Sequence, residues 1–446
     1  MNDTIVAIST ALGVGAISII RLSGDESIEI VNKIFTKDLT KVSSHTINYG
    51  YIKENNEIID EVLVSVMKSP KTFTTEDIVE INCHGGIATT NRVLELILRN
   101  GARMAEPGEF TKRAFLNGRI DLIEAESVMD LINSKTETSR KLALNGVKGS
   151  LSEKIRNLRT KLVDIISNIE VNIDYPEYED ILVVTNEMIE KNMKELKNEF
   201  EKLLKDAENG KMIKEGIKTL IIGRPNVGKS SILNRLLDED KAIVTDIEGT
   251  TRDIVEGTVS IDGILLNIID TAGIRDTENV VEKIGVEKSF SLIDDADLII
   301  VVLNNNEKLT DDDKKILEKT KDKKRIIFVN KSDLNTNIDI DLEYIRGNTL
   351  TNEGLYELKN KIKDLFNLDM IEKSDLNYLS NAREISTIKE VLSIITDIEE
   401  SLKNNVEVDM IEIDIKKVWT TLGKLIGETY DDELIDNIFS RFCLGK

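Results

Sequence analysis

Cysteine, histidine and proline are scarce in this chain of 446 residues, which carries two, two and four of them. Cys83 and Cys443 lie too far apart in sequence to suggest a disulfide scaffold, and with no CxxC pair the cysteines and histidines argue against a structural zinc site. So few prolines, with 40% hydrophobic residues, suit a helix-rich globular protein that can bury large cores, and the length allows about two to four domains. No run of about eighteen apolar residues occurs. The opening MNDTIVAIST has no basic stretch leading into an apolar one, so a cytoplasmic protein is expected. The lack of an anchor or a basic amphipathic helix sets membrane association aside. Positive charge is also in short supply: 59 Lys and Arg stand against 81 Asp and Glu, for a net charge of −22. That field opposes unaided binding to a phosphate backbone, so an RNA substrate would need a basic partner to hold much of it.

What the chain does have is concentrated between Gly223 and Asp333. GRPNVGKS, Gly223 to Ser230, lies between an apolar run, Ile217 to Ile222, that reads as a buried strand and a helical pattern beginning SSILNRLL. This is the strand, loop and helix order of a P-loop. Its glycines let backbone N–H groups of Asn226, Val227, Gly228, Lys229, Ser230 and Ser231 turn towards phosphates at a helix N-terminus. Lys229 reaches the β/γ-phosphates and Ser230 offers a hydroxyl to Mg²⁺. DTAG (Asp270, Thr271, Ala272, Gly273) follows the apolar run Ile264 to Ile269. That puts Asp270 at the carboxyl end of a strand, as a Walker-B aspartate, and lets the Gly273 N–H reach the γ-phosphate. NKSD, with Asn330, Lys331 and Asp333, follows a third apolar strand, Ile326 to Val329. The Asp333 carboxylate can accept from N1–H and the 2-amino group of guanine, whereas adenine offers neither donor, so GTP is expected over ATP.

Between these elements, Thr245, Asp246, Ile247, Glu248, Gly249, Thr250 and Thr251 form a loop of small, hydroxyl and charged residues. It reads as a switch that closes over the γ-phosphate and offers Thr251 to the metal. Two details depart from a Ras-like hydrolase. Ile274 follows DTAG, so the water-orienting glutamine is absent; Glu282, in the acidic segment after it, is the candidate replacement, against the plainer reading of a solvated helix face starting near Val281. Asn226 can offer a carbonyl oxygen towards the phosphates, where with switch-loop carbonyls it could hold a monovalent cation in the role of an arginine finger.

Around this block the pattern changes. Residues 1–117 alternate β-like runs (Thr4 to Ser9, Ala16 to Leu22, Glu61 to Met67, Ile78 to Asn82) with helical patterns such as Thr89 to Arg99, an α+β domain. Residues 118–212 are helical, with stripes at Leu151, Ile155, Leu158, Leu162, Ile165 and Ile169 and at Ile189, Met193, Leu196, Phe200 and Leu203. The GTPase spans 213–370, and helical spacing resumes over 371–446, with Ile388, Val391, Ile395, Ile398 and Leu402. The expectation is a multidomain α+β and α/β protein in which a Ras-like P-loop GTPase is inserted between two halves of a helical domain, since insertion needs only close termini. The stripes read as core.

Taken along its full length, the chain resembles the MnmE (TrmE) family of bacterial tRNA modification GTPases. The segments that carry the likeness are DTIVAIST, GAISIIRLSG, SPKTFTTEDIVEINCHGG, EPGEFTKRAFLNGRIDLIEAE, GRPNVGKSSILN, IVTDIEGTTRD, DTAGIRDTENVVEKIGVE, NKSD and the terminal FCLGK. Der-like and Era-like GTPases share only parts of the GTPase block.

The resemblance implies an enzyme that acts with the flavoprotein MnmG (GidA), which carries FAD, in a heterotetramer. Together they add a carboxymethylaminomethyl or aminomethyl group at carbon 5 of the tRNA wobble uridine. The one-carbon unit comes from 5-formyltetrahydrofolate or methylenetetrahydrofolate. It further implies an N-terminal domain that binds folate and forms a homodimer, and a potassium-dependent GTPase whose G domains pair when GTP is bound. Folate contacts carry over to Arg21, Glu80, Arg119 and Lys446, potassium contacts to Asn226, Thr245, Ile247 and Thr250, magnesium contacts to Ser230 and Thr251, and the water-orienting glutamate to Glu282. Glu80 suits the donor edge of a pterin, while the basic residues suit its carbonyl and glutamyl tail.

Arg119 stands where a lysine is more usual. Asn348, Thr349 and Leu350 stand where the base-binding loop usually reads Ser, Ala and a basic residue. Cys443, near an apolar helix end, reads by itself as core; no catalytic role is assigned to it. The alternative function is a regulatory GTPase switch in ribosome or ribonucleoprotein assembly. FCLGK with Arg21 and Glu80 discriminates against it.

Overall fold

A computed structural model describes residues 3–55, 57–174, 185–239, 257–270, 292–368, 371, 375–430 and 432–445. They form two units, Met1–Met129 with Ser152–Val184 and Asn404–Lys446, and Asp130–Leu151 with Thr185–Lys403.

In the first unit six strands, β1 (Ile5–Ile8), β2 (Ile17–Ser23), β3 (Thr46–Glu54), β4 (Glu57–Met67), β5 (Ile78–His84) and β6 (Arg103–Met104), form a sheet of order β3-β4-β5-β2-β1-β6. All neighbours are antiparallel except β1 and β6. Alternation sorts the side chains. Val62, Val64, Val66, Val79, Ile81, Ile20 and Leu22 face the helices Ser27–Ile34 and Ile87–Arg99 and build the core with Ile30, Val31, Val93 and Ile97. Residues of the other parity, among them Arg21, Glu80, Asn82 and His84, share the opposite face. Over β1 that face is covered by Ala105 and Phe110, which pack on Ile5 and Ala7.

Four of the expected strands are present with ends shifted by a few residues. β3 was not expected. On it Ile47 and Tyr49 lie on the exposed face while Gly50 and Ile52 are buried, so its apolar pattern runs against its burial.

The covering layer is fixed by one buried cation. Arg113, on the helix Glu109–Leu116, is 1% exposed and donates to the Asp3 carbonyl and carboxylate, to both Glu76 oxygens and to Glu109. Burial pushes the Glu109 carboxyl up, but hydrogen bonds from Arg103, the Glu106 N–H and Arg113 outweigh it and hold Glu109 below the ordinary carboxylate range. Glu76 also accepts from Ser23, and Asn117 donates to the Thr74 carbonyl, so the loop from Pro70 to Asp77 is anchored at several points. The expected stripe from Leu151 to Ile169 is buried along the helix Ser150–Asp174. Arg159 from this helix lies 4.4 Å over the Trp419 ring of the helix Val408–Ile426 and pairs with Glu428.

The second unit holds a sheet of order β12-β11-β10-β7-β9-β8, built from β7 (Ile217–Ile222), β8 (Gly257–Ile261), β9 (Ile264–Asp270), β10 (Leu298–Asn304), β11 (Arg325–Asn330) and β12 (Ile345–Arg346). Only β8 and β9 are antiparallel, joined by an Asp262-Gly263 turn with φ of +49° and +77° at its two central residues, which suits those residue types. Every residue of β10 is buried, as a parallel strand covered on both faces requires. One core contains Ile221, Leu266, Ile300 and Phe328, and the other Leu220, Ile269, Val301 and Val329. The stripes Ile189 to Leu203 and Ile388 to Leu402 are buried on the helices Asn186–Glu215 and Ala382–Lys403, which a Lys197–Glu399 ion pair of 2.6 Å links.

Replacing Arg113 with leucine would leave Glu76, Glu109 and Asp3 without their shared buried cation. A loss of about 3–5 kcal/mol is expected, read as early unfolding of the first unit by denaturant-dependent circular dichroism. An unshifted transition would show that water satisfies the carboxylates.

Candidate functional site

In the second unit the loops that leave β7, β10 and β11 gather at the carboxyl ends of the parallel strands, where the strand order switches from one side of β7 to the other. The P-loop follows β7 directly. Asn226 and Gly228 adopt φ of +62° and +103°, and the helix Lys229–Glu239 begins at once, presenting its free N–H groups. A side chain at Gly223 would meet the Val302 carbonyl at 2.4 Å, and one at Gly228 would meet the Asn330 amide at 2.1 Å. The Lys229 ammonium donates to the carbonyls of Gly223 and Arg224 at 3.0 and 2.9 Å, which places its charge on the inner curve of the loop. Asn226, Ser230 and Ser231 are exposed.

Asn330 is the hub. Only 2% exposed, it donates through Nδ2 to the Val227 carbonyl at 2.9 Å and accepts the Thr349 N–H through Oδ1 at 3.2 Å. It thereby ties the P-loop to the loop after β12. In that loop Asn348 donates through Nδ2 to an Asp333 oxygen at 3.0 Å and accepts the Leu350 N–H at 2.8 Å. Asn348 therefore orients the exposed Asp333 carboxylate, a task for which its amide is long enough. Asp270 ends β9, with its backbone in register with Ile221, two residues before Gly223. Thr245 to Thr251, Thr271 to Gly273, and Glu282 lie outside the described residues, as does Lys446.

Two arginines that the motifs did not single out complete the arrangement. Arg224 pins the P-loop to Asp313 and Glu307 at 2.9 and 2.8 Å. Arg235, on the helix Lys229–Glu239, donates to the carbonyls of Thr349 and Leu350 at 2.9 and 3.3 Å. A basic residue within a P-loop helix has no distinctive spacing, so only the fold reveals its partner.

A second cluster lies on the exposed sheet face of the first unit. Arg21 and Glu80 are direct partners across β2 and β5 and form an ion pair of 2.8 Å, each about one-fifth exposed. Arg21 also donates to the Gly445 carbonyl at 3.2 Å, as does Ser9, which brings the chain's end to this pair. Gly445 has φ of +85°, and a side chain there would meet the Ile8 carbonyl at 2.7 Å. The Arg21 guanidinium lies 5.7 Å from the Phe110 ring centroid, Phe73 packs against the same apolar patch, and Arg119 stacks on Phe73 at 4.9 Å while donating to its carbonyl. Of the four carried-over residues, Arg21 and Glu80 are thus paired directly, and Arg119 is linked to them through the Phe73–Phe110 patch.

On the same strand as Glu80, His84 bonds through Nδ1 to the buried Asp60 at 2.6 Å. That hydrogen bond, and the charge behind it, raise the His84 pKa above its ordinary value. Burial pushes the Cys83 thiol up. Cys443 is not core: Phe442 takes the buried position and the Cys443 side chain is exposed.

A parallel sheet of this order, with a P-loop after β7 and an Asn-Lys-Ser-Asp turn after β11, defines a P-loop guanine-nucleotide-binding protein. Family models match along most of the chain: "GTP-binding protein TrmE N-terminus" over residues 4–119 and "MnmE helical domain" over residues 122–443. The tRNA modification GTPase MnmE of Bacillus licheniformis is 52% identical over 458 residues, covering 100% of both chains. That of Streptococcus thermophilus is 53% identical, covering 100% of this chain and 98% of its own. Among solved structures, the G domain of the T. maritima FeoB iron transporter is 29% identical, covering 34% of this chain and 98% of its own at a TM-score of 0.25. The chain belongs to the MnmE family of tRNA modification GTPases.

The placement of Asp333 beside Asn348 generates a test of base choice. Asp333→Asn is expected to weaken GTP by at least about tenfold, or ~1.4 kcal/mol, and to gain xanthosine triphosphate, whose C2 carbonyl can accept from the new amide. Competition between the two nucleotides measures it; an unaltered preference for GTP would remove Asp333 from base recognition.

Proposed function

We propose that this chain is the GTP-hydrolysing subunit of an enzyme that adds a carboxymethylaminomethyl or aminomethyl group to carbon 5 of the tRNA wobble uridine. The observation that carries this reading is the joining of P-loop, Asn330, Asp333 and Asn348 at one end of the sheet, in a chain about half identical to tRNA modification GTPases over its whole length. The residues suit GTP: loop N–H groups and Lys229 face the phosphates, and Asp333 faces the base. Magnesium, held by Ser230 and Thr251, would neutralise phosphate charge, with Gly273 donating to the γ-phosphate. Glu282 would orient the attacking water, and Asn226, Thr245, Ile247 and Thr250 would hold potassium, which would offset the negative charge that develops during hydrolysis.

On the first unit, Arg21, Glu80, Arg119 and Lys446 bind the tetrahydrofolate that supplies the one-carbon unit. Among the described residues Arg21 engages one Glu80 oxygen and the other remains to accept from a pterin edge, which fits the group. Val14 and Ile47, 96% and 68% exposed, and their neighbours Ile17, Tyr49 and Leu63 leave an apolar surface that supports a homodimer formed through residues 1–117. The further divisions, a helical domain from 118–212 and 371–446 and a G domain over 213–370, belong to the same reading. MnmG, with its FAD, completes a heterotetramer in the cytoplasm. Among the described residues no helix is long and apolar enough to cross a membrane.

Nucleoside analysis of tRNA from cells lacking the protein is expected to show loss of the modified wobble uridine, and an unchanged profile would favour a regulatory switch. The cation proposal is tested by hydrolysis in potassium and in sodium at equal ionic strength. Wild type is expected to turn over at least about tenfold faster in potassium, and Asn226→Ala to lose most of that difference. Equal wild-type rates would return Asn226 to a plain loop position.

A further inference from the structure

A cavity of about 530 Å³ opens beside Arg119, within the first unit, and neither the nucleotide site nor the Arg21–Glu80 pair uses it. That volume is in the range of small-molecule sites. Its lining includes His45, Lys71, Phe73, Thr75, Asn117 and Arg119, and none of its ten lining residues is acidic. In a chain with 81 acidic side chains against 59 basic ones, a concave surface with three potential cations and no carboxylate needs a reason. The adjoining sequence, KTFTTED, contains two acids, and both are drawn elsewhere: Glu76 is bound by Arg113 and Ser23, and Asp77 accepts the Ser69 N–H at 2.8 Å. The wall is also set in advance. Asn117 holds the Thr74 carbonyl at 2.6 Å, Thr72 donates to the Glu76 carbonyl at 2.6 Å, and Arg119 is fixed on Phe73 by its stacking and hydrogen bond. Such a rim offers Arg119 already fixed in place with Lys71 and His45 beside it, which suits a ligand with several negative charges along a short chain.

The cavity is continuous in chemistry with the candidate folate cluster. Phe73 packs against the patch that contains Phe110, and Arg21 lies over Phe110, so Arg119 and Arg21 stand at two ends of one aromatic wall. Folates carry one or more γ-linked glutamates at the end opposite the pterin. We infer that the cavity lined by His45, Lys71 and Arg119 takes the oligo-γ-glutamate tail of the folate, making the site selective for polyglutamylated one-carbon donors. This rests on the folate reading of Arg21, Glu80 and Arg119. Basic groups confined to one short open cleft of ten residues favour a small oligocarboxylate over the phosphates of RNA, which call for an extended basic stripe, and the chain's charge of −22 works against such a stripe.

The experiment is direct binding by the full chain of 5-formyltetrahydrofolate as monoglutamate and as pentaglutamate, by isothermal titration calorimetry at low and at high salt. The pentaglutamate is expected to bind at least about tenfold more tightly at low salt, with the advantage shrinking as salt screens the tail. Lys71→Gln, at an exposed position, is expected to erase most of that advantage while leaving the monoglutamate affinity unchanged; His45→Gln is a second, independent variant. No binding of either ligand would overturn the folate reading and this inference with it. Equal affinity of the two ligands would overturn the tail site alone. A Lys71→Gln protein that keeps the pentaglutamate advantage but loses affinity for tRNA would assign the cavity to nucleic acid instead.

Discussion

A polar side chain taken out of water must find partners, and in each unit one buried polar group draws them from separate segments of the chain. Asn330 in the second unit and Arg113 in the first are 2% and 1% exposed. Asn330 has one donor group and one acceptor to satisfy, and it does so with two different loops, so neither loop can move without stranding it. Arg113 draws in the start of the chain, the loop before β5 and its own helix. In both cases the apolar cores fix the sheets, and the buried polar group fixes what stands at their edges. Functional loops that are otherwise exposed thus acquire a defined shape without an apolar core of their own.

The two sheets present their chemistry differently, and the reason is topological. A parallel sheet covered on both faces can offer a ligand only the ends of its strands, and β10, buried throughout, shows why no face is free. The mainly antiparallel sheet of the first unit has two helices along one face, and on the other the helix Glu109–Leu116 covers the β1 end. Its other face carries Arg21 and Glu80 in direct register, half-buried by Phe110 and the returning end of the chain. A charged pair on a sheet face that later segments partly cover is held in place yet remains reachable.

Much of this was legible in the residue pattern. The P-loop, the strand before it and the helix after it stand where GRPNVGKS put them, and the three apolar stripes of the long helices are buried. These are signals of period and local chemistry, which a sequence carries directly. What it concealed were relations between distant segments. Asn348 read as a departure from a familiar loop, whereas its amide is the group that orients Asp333, fifteen residues away in sequence. β3 escaped because its exposed positions hold Ile47 and Tyr49, so apolar character there marks an unpaired surface rather than a core. Cys443 read as core because the helix before it is apolar, but Phe442 fills that space first.

Charge connects the two units' chemistry to the wider reaction. Arginines that could meet a phosphate backbone are largely engaged: Arg113 and Arg103 on buried or half-buried carboxylates, Arg224 on Asp313 and Glu307, Arg235 on loop carbonyls, Arg159 on Glu428 and Trp419. These arginines, among the described residues, are spent on holding the fold's own loops, within an overall balance of −22. A chain of this kind can arrange a nucleotide and a carboxylate-bearing donor, whose contacts are few and local. Long-range attraction of a polyanion is a different demand, and screening leaves little of it beyond about 10 Å at ordinary salt. Under the proposed reading a division of labour follows: this subunit would supply hydrolysis and the one-carbon donor, and a partner with a basic surface would carry most of the grip on tRNA.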